Sequence, residues 1–189
     1  MRTSLLALLG SVLYATARYN VFKDVPWSDW PTYTLNKAFA LCALVLVLLS
    51  VVRARRAGGD STAPTMYMAR VFGFTHVILS LTLLSPAYYE RFFAQGKLTA
   101  AAGVSMLLGA VAAAAMAVGK RTRGNQDTSG AARNLATLAV VVGLHAMLQG
   151  FAGWFAPSEW PGRMPPITLL SFLLGLAAVV IVLWPKRAA

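Results

Sequence analysis

Long apolar runs separated by short polar, glycine-rich or proline-rich connections organise this chain. Crossing the hydrocarbon core of a bilayer takes about 20 apolar residues as a helix. Six runs reach or approach that length, over approximately residues 4–22, 34–52, 66–85, 98–119, 134–155 and 167–184. The pattern predicts an all-α fold: an integral membrane bundle of six transmembrane helices in a single domain covering 1–189. The connections, such as AGGDSTAP at 57–64, GNQDTSG at 124–130 and PSEWPGRMPP at 157–166, are too short to hold a second domain. The first run also reads as a signal peptide, with Arg2, an apolar stretch and the small-residue motif Ala15-Thr16-Ala17. Its continuation through Tyr19, Val21 and Phe22 favours a retained helix.

Composition agrees with the pattern. Hydrophobic residues make up 58% of the chain, above the roughly 45–50% of soluble domains. The net charge of +11 raises nucleic acid as a partner, but the basic residues lie between apolar runs and form no single patch. In a membrane protein that distribution reports orientation. One set of connections and ends holds Arg2, Arg53, Arg55, Arg56, Arg70, Lys120, Arg121, Arg123, Arg133, Lys186 and Arg187, opposed by Asp60 and Asp127. The other holds Arg18, Lys23, Lys37, Arg91, Lys97 and Arg163 against Asp24, Asp29, Glu90 and Glu159. The excess of positive charge on the first set predicts both termini in the cytoplasm and a multi-pass protein of the inner (cytoplasmic) membrane, with the lipid bilayer as its main partner and no nucleic acid. The single cysteine, Cys42, lies in an apolar run and reads as a small core residue.

The second set of connections is aromatic and rich in proline, with PWSDWPTY at 26–33 and WFAPSEWPGRMPP at 154–166. An interfacial aromatic belt explains this, as does a docking surface for a quinone or a periplasmic partner. In the fourth run Gly109, Ala113 and Ala117 recur every four residues, a spacing that suits close helix packing and points to no chemistry.

Chemistry concentrates on two histidines, His76 in the third run and His145 in the fifth. An ionisable side chain inside a membrane span is costly and marks a candidate functional site. Both runs head outward from the cytoplasm, with the histidines about ten and eleven residues in. At 1.5 Å per residue both fall roughly 15 Å deep, near the midplane of a ~30 Å core. Two parallel helices with imidazoles at equal depth can ligate one iron from opposite faces. Gly73, one turn before His76, removes bulk beside it, as Gly143 and Gly150 do more loosely around His145. Phe72, Leu79, Leu83, Val141, Val142 and Leu148 offer an apolar pocket, and Ser80 and Gln149 offer hydrogen bonds. Arg70 and Arg133 lie toward the cytoplasmic ends of the same helices, where they suit haem propionates or the general charge bias. A lone membrane histidine can also serve as an interhelical hydrogen-bonding group. Copper or zinc fits less well, because two histidines supply too few ligands.

Six helices with cytoplasmic termini and histidines on the third and fifth resemble the ferric reductase-like transmembrane domain. That superfamily includes the haem-binding membrane subunit of the bacterial methionine sulfoxide reductase system. The resemblance runs from about Asn36 into the sixth helix, through Arg70, Gly73 and His76, then Gly96-Lys97-Leu98-Thr99, then Leu144-His145. It implies haem b as cofactor, ligated by His76 and His145 with Arg70 and Gly73 beside them, in a membrane electron-transfer protein or oxidoreductase component; the reading of the residues adds Arg133 and Gln149 to the candidate cofactor site. The chain has fewer histidines than such domains usually carry. One bis-histidine haem is the maximum, and a six-coordinate iron suits electron transfer better than oxygen activation. A quinone is then a candidate second carrier. No flavin or nicotinamide domain is present, so a quinol or a flavoprotein supplies electrons, and a partner protein or metal substrate receives them. A non-catalytic membrane subunit with structural histidines is the alternative. A small-solute transporter is a weaker one, because no acidic residue lies deep in any span.

Overall fold

A computed structural model describes residues 2–57, 62–84, 86–118 and 128–185. Its helices are α1 (Arg2–Thr16), α2 (Leu35–Ala57), α3 (Ala63–Thr82), the short α4 (Pro86–Glu90), α5 (Ala100–Val118), α6 (Thr128–Gly150) and α7 (Ile167–Leu183). The described residues contain one small sheet, a hairpin of β1 (Phe93–Ala94) and β2 (Lys97–Leu98). The fold is therefore all-α, and each of the six predicted runs corresponds to a long helix. Four helical stretches are long and apolar enough to cross a membrane: Trp27–Arg56, Ala100–Val118, Gly130–Trp154 and Pro161–Leu183. α1 has only 15 residues before a π-helical turn at Ala17–Val21, and α3 carries Arg70 and several threonines along its 20 residues.

Several boundaries differ from the sequence pattern. α3 starts at Ala63, three residues before the apolar run, because Pro64 in its first turn has a backbone φ already suited to a helix start. α6 starts at Thr128, so the last residues of the polar connection are helical. A first turn outside the apolar layer has no need of apolar side chains. Gly96-Lys97-Leu98 belongs to the hairpin and not to a helix. Gln95 and Gly96 adopt φ of 51° and 74°, the left-handed conformation that a tight hairpin turn requires. α5 follows at Ala100, with Thr99 Oγ1 accepting from the Ala102 amide at 3.3 Å. The charged positions Asp60, Lys120, Arg121, Arg123, Asp127, Lys186 and Arg187 lie outside the described residues.

The centre of the bundle is α2. In its apolar window 56% of residues are buried, against 22%, 28% and 22% in the windows of the other three long stretches. α1, α3, α6 and α7 all pack on it, and α5 covers α6 and, less extensively, α3. Cys42, Leu44, Leu46, Val47 and Val51 are almost wholly buried there, among Met66, Phe72, Met116 and Ala139. Cys42 is thus a core residue.

Polar ties define the two ends of the bundle. At the arginine end, Arg53 bonds Thr65 and reaches Thr3 at 3.3 Å, and Arg55 donates to the Trp184 carbonyl. The start of α1 and the end of α7 therefore share one end. At the aromatic end, Trp30 Nε1 donates to Thr16 Oγ1 at 2.9 Å, Tyr14 to the Pro165 carbonyl at 2.6 Å, and Trp154 Nε1 to Thr168 Oγ1 at 3.0 Å. Trp27 is exposed there, as an interfacial belt requires, whereas Trp154 is buried and serves packing.

α6 and α7 meet through small residues. A Cβ added at Gly175 would lie 2.8 Å from the Ala139 carbonyl oxygen, and one at Gly143 would lie 3.4 Å from the Phe172 backbone. Backbone cannot yield as a flexible side chain can. Gly175→Ala is expected to cost about 1–3 kcal/mol, the usual range for overpacking, measured by unfolding in mixed micelles.

Candidate functional site

Each histidine is held from a neighbouring helix through the same ring nitrogen. His76 Nδ1 lies 2.5 Å from Asn36 Oδ1 and 3.2 Å from the Asn36 carbonyl oxygen, near the start of α2. His145 Nδ1 lies 2.7 Å from the Ser105 carbonyl oxygen and 3.1 Å from Ser105 Oγ, on α5. A carbonyl oxygen only accepts, so Nδ1 carries the proton in both rings and Nε2 keeps its lone pair. This tautomer is the one in which Nε2 can ligate a metal. No described residue hydrogen-bonds either Nε2. Asn36 and Ser105 are fully buried, and each is further tied, Asn36 Nδ2 to Ser80 Oγ at 3.0 Å and Ser105 Oγ to Gln149 Nε2 at 2.8 Å.

The histidines lie at similar distances from the same ends of their helices. His76 is six residues before the end of α3, and His145 is five before the end of α6. At 1.5 Å per residue both lie roughly 8–9 Å from the aromatic end of their helices. α3 and α6 have at most marginal contact with each other; each leans on α2, with α5 against both. The two rings are within electrostatic reach.

The other sequence candidates are placed differently. Gln149 joins the site through Ser105. Gly73 faces the Met116 side chain on α5 and Ala43 on α2, so it serves helix packing. Gly143 and Gly150 face α7 and Thr168. Arg70 lies six residues toward the arginine end from His76. Arg133 is exposed, twelve residues and roughly 18 Å along α6 from His145. Leu83 is exposed, and Phe72 stacks on Phe39 with ring centroids 5.7 Å apart. Gly109, assigned from its spacing to packing alone, lies against the His145 ring: an added Cβ would be 3.1 Å from both Cε1 and Nδ1.

Two cations that the charge count placed outside the site stand beside it. Lys37, next to Asn36, donates to the Tyr88 hydroxyl at 2.8 Å and lies 4.9 Å from the centre of that ring. Arg91 reaches the same hydroxyl at 2.6 Å, covers the ring at 4.1 Å and donates to Gln149 Oε1 at 3.2 Å. A polar chain thus runs from Lys37 through Tyr88, Arg91, Gln149 and Ser105 to His145. Tyr88 also packs edge-on against Tyr33, Tyr89 and Phe92. The partners of Lys37 and Arg91 are phenol and amide oxygens, not carboxylates. Among the described residues no three His, Cys, Asp or Glu side chains converge on one point.

Tyr88 sits in the connection between α3 and α5. Burial raises its phenol pKa, but Lys37 and Arg91 outweigh burial and hold it below the ordinary value of 10.0. A folded-state value below the unfolded one adds stability as pH rises from the lowered value toward about 10. Tyr88→Phe is expected to remove the earliest phenolate step from the ultraviolet pH titration, together with that alkaline gain. An unchanged titration would show that the cations do not act on this phenol. Comparisons with family models, with curated proteins and with solved structures found no match.

Proposed function

We propose that the chain is a six-span haem b protein of the inner membrane, with both termini cytoplasmic and one haem held between His76 and His145. It passes electrons between a quinol or flavoprotein and a partner protein or metal substrate, as the resemblance to ferric reductase-like domains implies. One observation carries the reading: both histidines are held at Nδ1 by carbonyl oxygens, at similar distances from the same ends of their helices, with both Nε2 lone pairs uncommitted among the described residues. Bound haem would supply one-electron redox chemistry, and the chain would supply ligation and tautomer control. The cations at the level of the histidines are Lys37 and Arg91. We therefore assign to them the haem carboxylates that charge placement had given to Arg70 and Arg133. The shared end of the α1 start and the α7 finish supports termini on one side.

The test is optical. Protein purified from haem-replete cells is expected to show b-type absorbance that sharpens on dithionite reduction, with about one haem per chain by pyridine haemochrome assay. Colourless protein with stoichiometry near zero overturns the reading. A second reading has its own support, since each imidazole already cross-links two helices. In a structural subunit those bonds would be the whole role of the histidines.

A further inference from the structure

At the arginine end, the last turns of α2 and α7 enclose an open groove of about 700 Å³. Its apolar lining comes from Val52, Val180 and Ile181, with Trp184 at the rim. Val180 and Trp184 are 55% and 66% exposed, so the groove opens outward from the bundle. Arg55 and Arg56 stand over it. Arg55 Nη2 donates to the Trp184 carbonyl, which fixes the guanidinium at the groove, and its Nη1 is buried with no hydrogen-bond partner among the described residues. A guanidinium carries five donors and no acceptor, so two arginines lining one groove suit an anionic oxygen.

We propose that this groove binds the phosphodiester headgroup of an anionic phospholipid. Arg55 and Arg56 meet the phosphate, Trp184 lies at headgroup level, and Val52, Val180 and Ile181 take the upper part of an acyl chain. Charge complementarity selects this occupant, because basic pockets at the ends of membrane helices recognise anionic headgroups. The groove also lies where the apolar stretches of α2 and α7 end. It is remote from the histidines, and the inference depends only on the bilayer surrounding the bundle.

Native mass spectrometry of the full chain, titrated with dioleoylphosphatidylglycerol and with dioleoylphosphatidylcholine, tests it. Each arginine near a membrane surface is worth about fivefold in binding to anionic lipid, so the expected preference for phosphatidylglycerol is about 25-fold. The double variant Arg55→Gln/Arg56→Gln is expected to bring the two lipids within about twofold. Arg55→Lys/Arg56→Lys retains most of the preference, which separates loss of charge from loss of fold. Equal retention of the two lipids by the unsubstituted protein overturns the proposal, and that comparison requires no variant. Displacement of the lipid by millimolar inorganic phosphate also overturns it, since the site would then hold a free anion.

Discussion

Replacing His76 or His145 by alanine is expected to leave purified protein with less than a tenth of the haem of the parent chain. The remaining absorbance should be that of a five-coordinate or adventitious species. The size of the effect follows from the ligand count: the chain contains two histidines, so neither loss can be made good by a third. Alanine alone does not separate ligation from support, because it also deletes the Nδ1–H bond to Asn36 or Ser105. Asparagine does. Its Nδ2 sits near the place of the histidine Nδ1 and can still donate to the carbonyl, while nothing replaces Nε2. For a haem protein, His76→Asn and His145→Asn keep apoprotein stability within about 1 kcal/mol of the parent, the scale of one ordinary hydrogen bond, and still lose the cofactor. For a structural subunit, asparagine restores every measured property. Haem per chain and unfolding midpoint, recorded on the same four variants, therefore give opposite patterns under the two readings. Haem content unchanged in all four would remove both histidines from ligation.

The architecture was legible because lipid-facing helices must be apolar for their whole length, and the connections between them need not be. The central position of α2 was harder to see. Its stretch has a mean hydropathy of 2.3, below the 2.6 of the α7 stretch, so apolarity does not single it out; its burial comes from the helices that surround it. The two histidines stood out because ionisable groups are rare in spans. Their partners did not, since Asn36 and Ser105 are single small polar residues within apolar runs. Each lies 40 residues from its histidine, a separation that no local pattern encodes. Lys37 carried a readable signal. It is a lysine inside the predicted second span, and an intramembrane cation is a candidate site residue on the same grounds as a histidine. Counting it toward the outer charge balance concealed that. Arg70 and Arg133 were placed by helix direction; they lie six and twelve residues from their histidines toward the arginine end, whereas Lys37 and Arg91 are tied to residues beside the histidines.

Gly109 provides the second large effect. Gly109→Val is expected to expel the His145 ring from its seat and, on the proposed haem reading, to remove most of the haem, although position 109 ligates nothing. Even a methyl group there would lie 3.1 Å from Cε1 and Nδ1 of the ring. That is tight enough that the imidazole must move by a few tenths of an ångström. Valine adds two methyl groups, and a β-branched side chain on a helix has few rotamers in which to avoid the clash. The ring cannot retreat freely, because Nδ1 is bound to the Ser105 carbonyl one turn earlier on the same helix, and Gln149 holds Ser105 Oγ. Movement therefore breaks that bond or moves Nε2 off its axis. A destabilisation of about 1–3 kcal/mol accompanies the overpacking. Gly103, also on α5, is the control: a Cβ there meets only the Leu98 side chain at 3.5 Å, an ordinary contact. Gly103→Ala is expected to leave haem content unchanged and, through higher helix propensity, to stabilise α5 by up to about 1 kcal/mol. If Gly109→Val keeps its haem with an unchanged spectrum while Gly103→Ala behaves as stated, His145 is not a ligand, because no bis-histidine iron tolerates a displaced imidazole without a change in its spectrum.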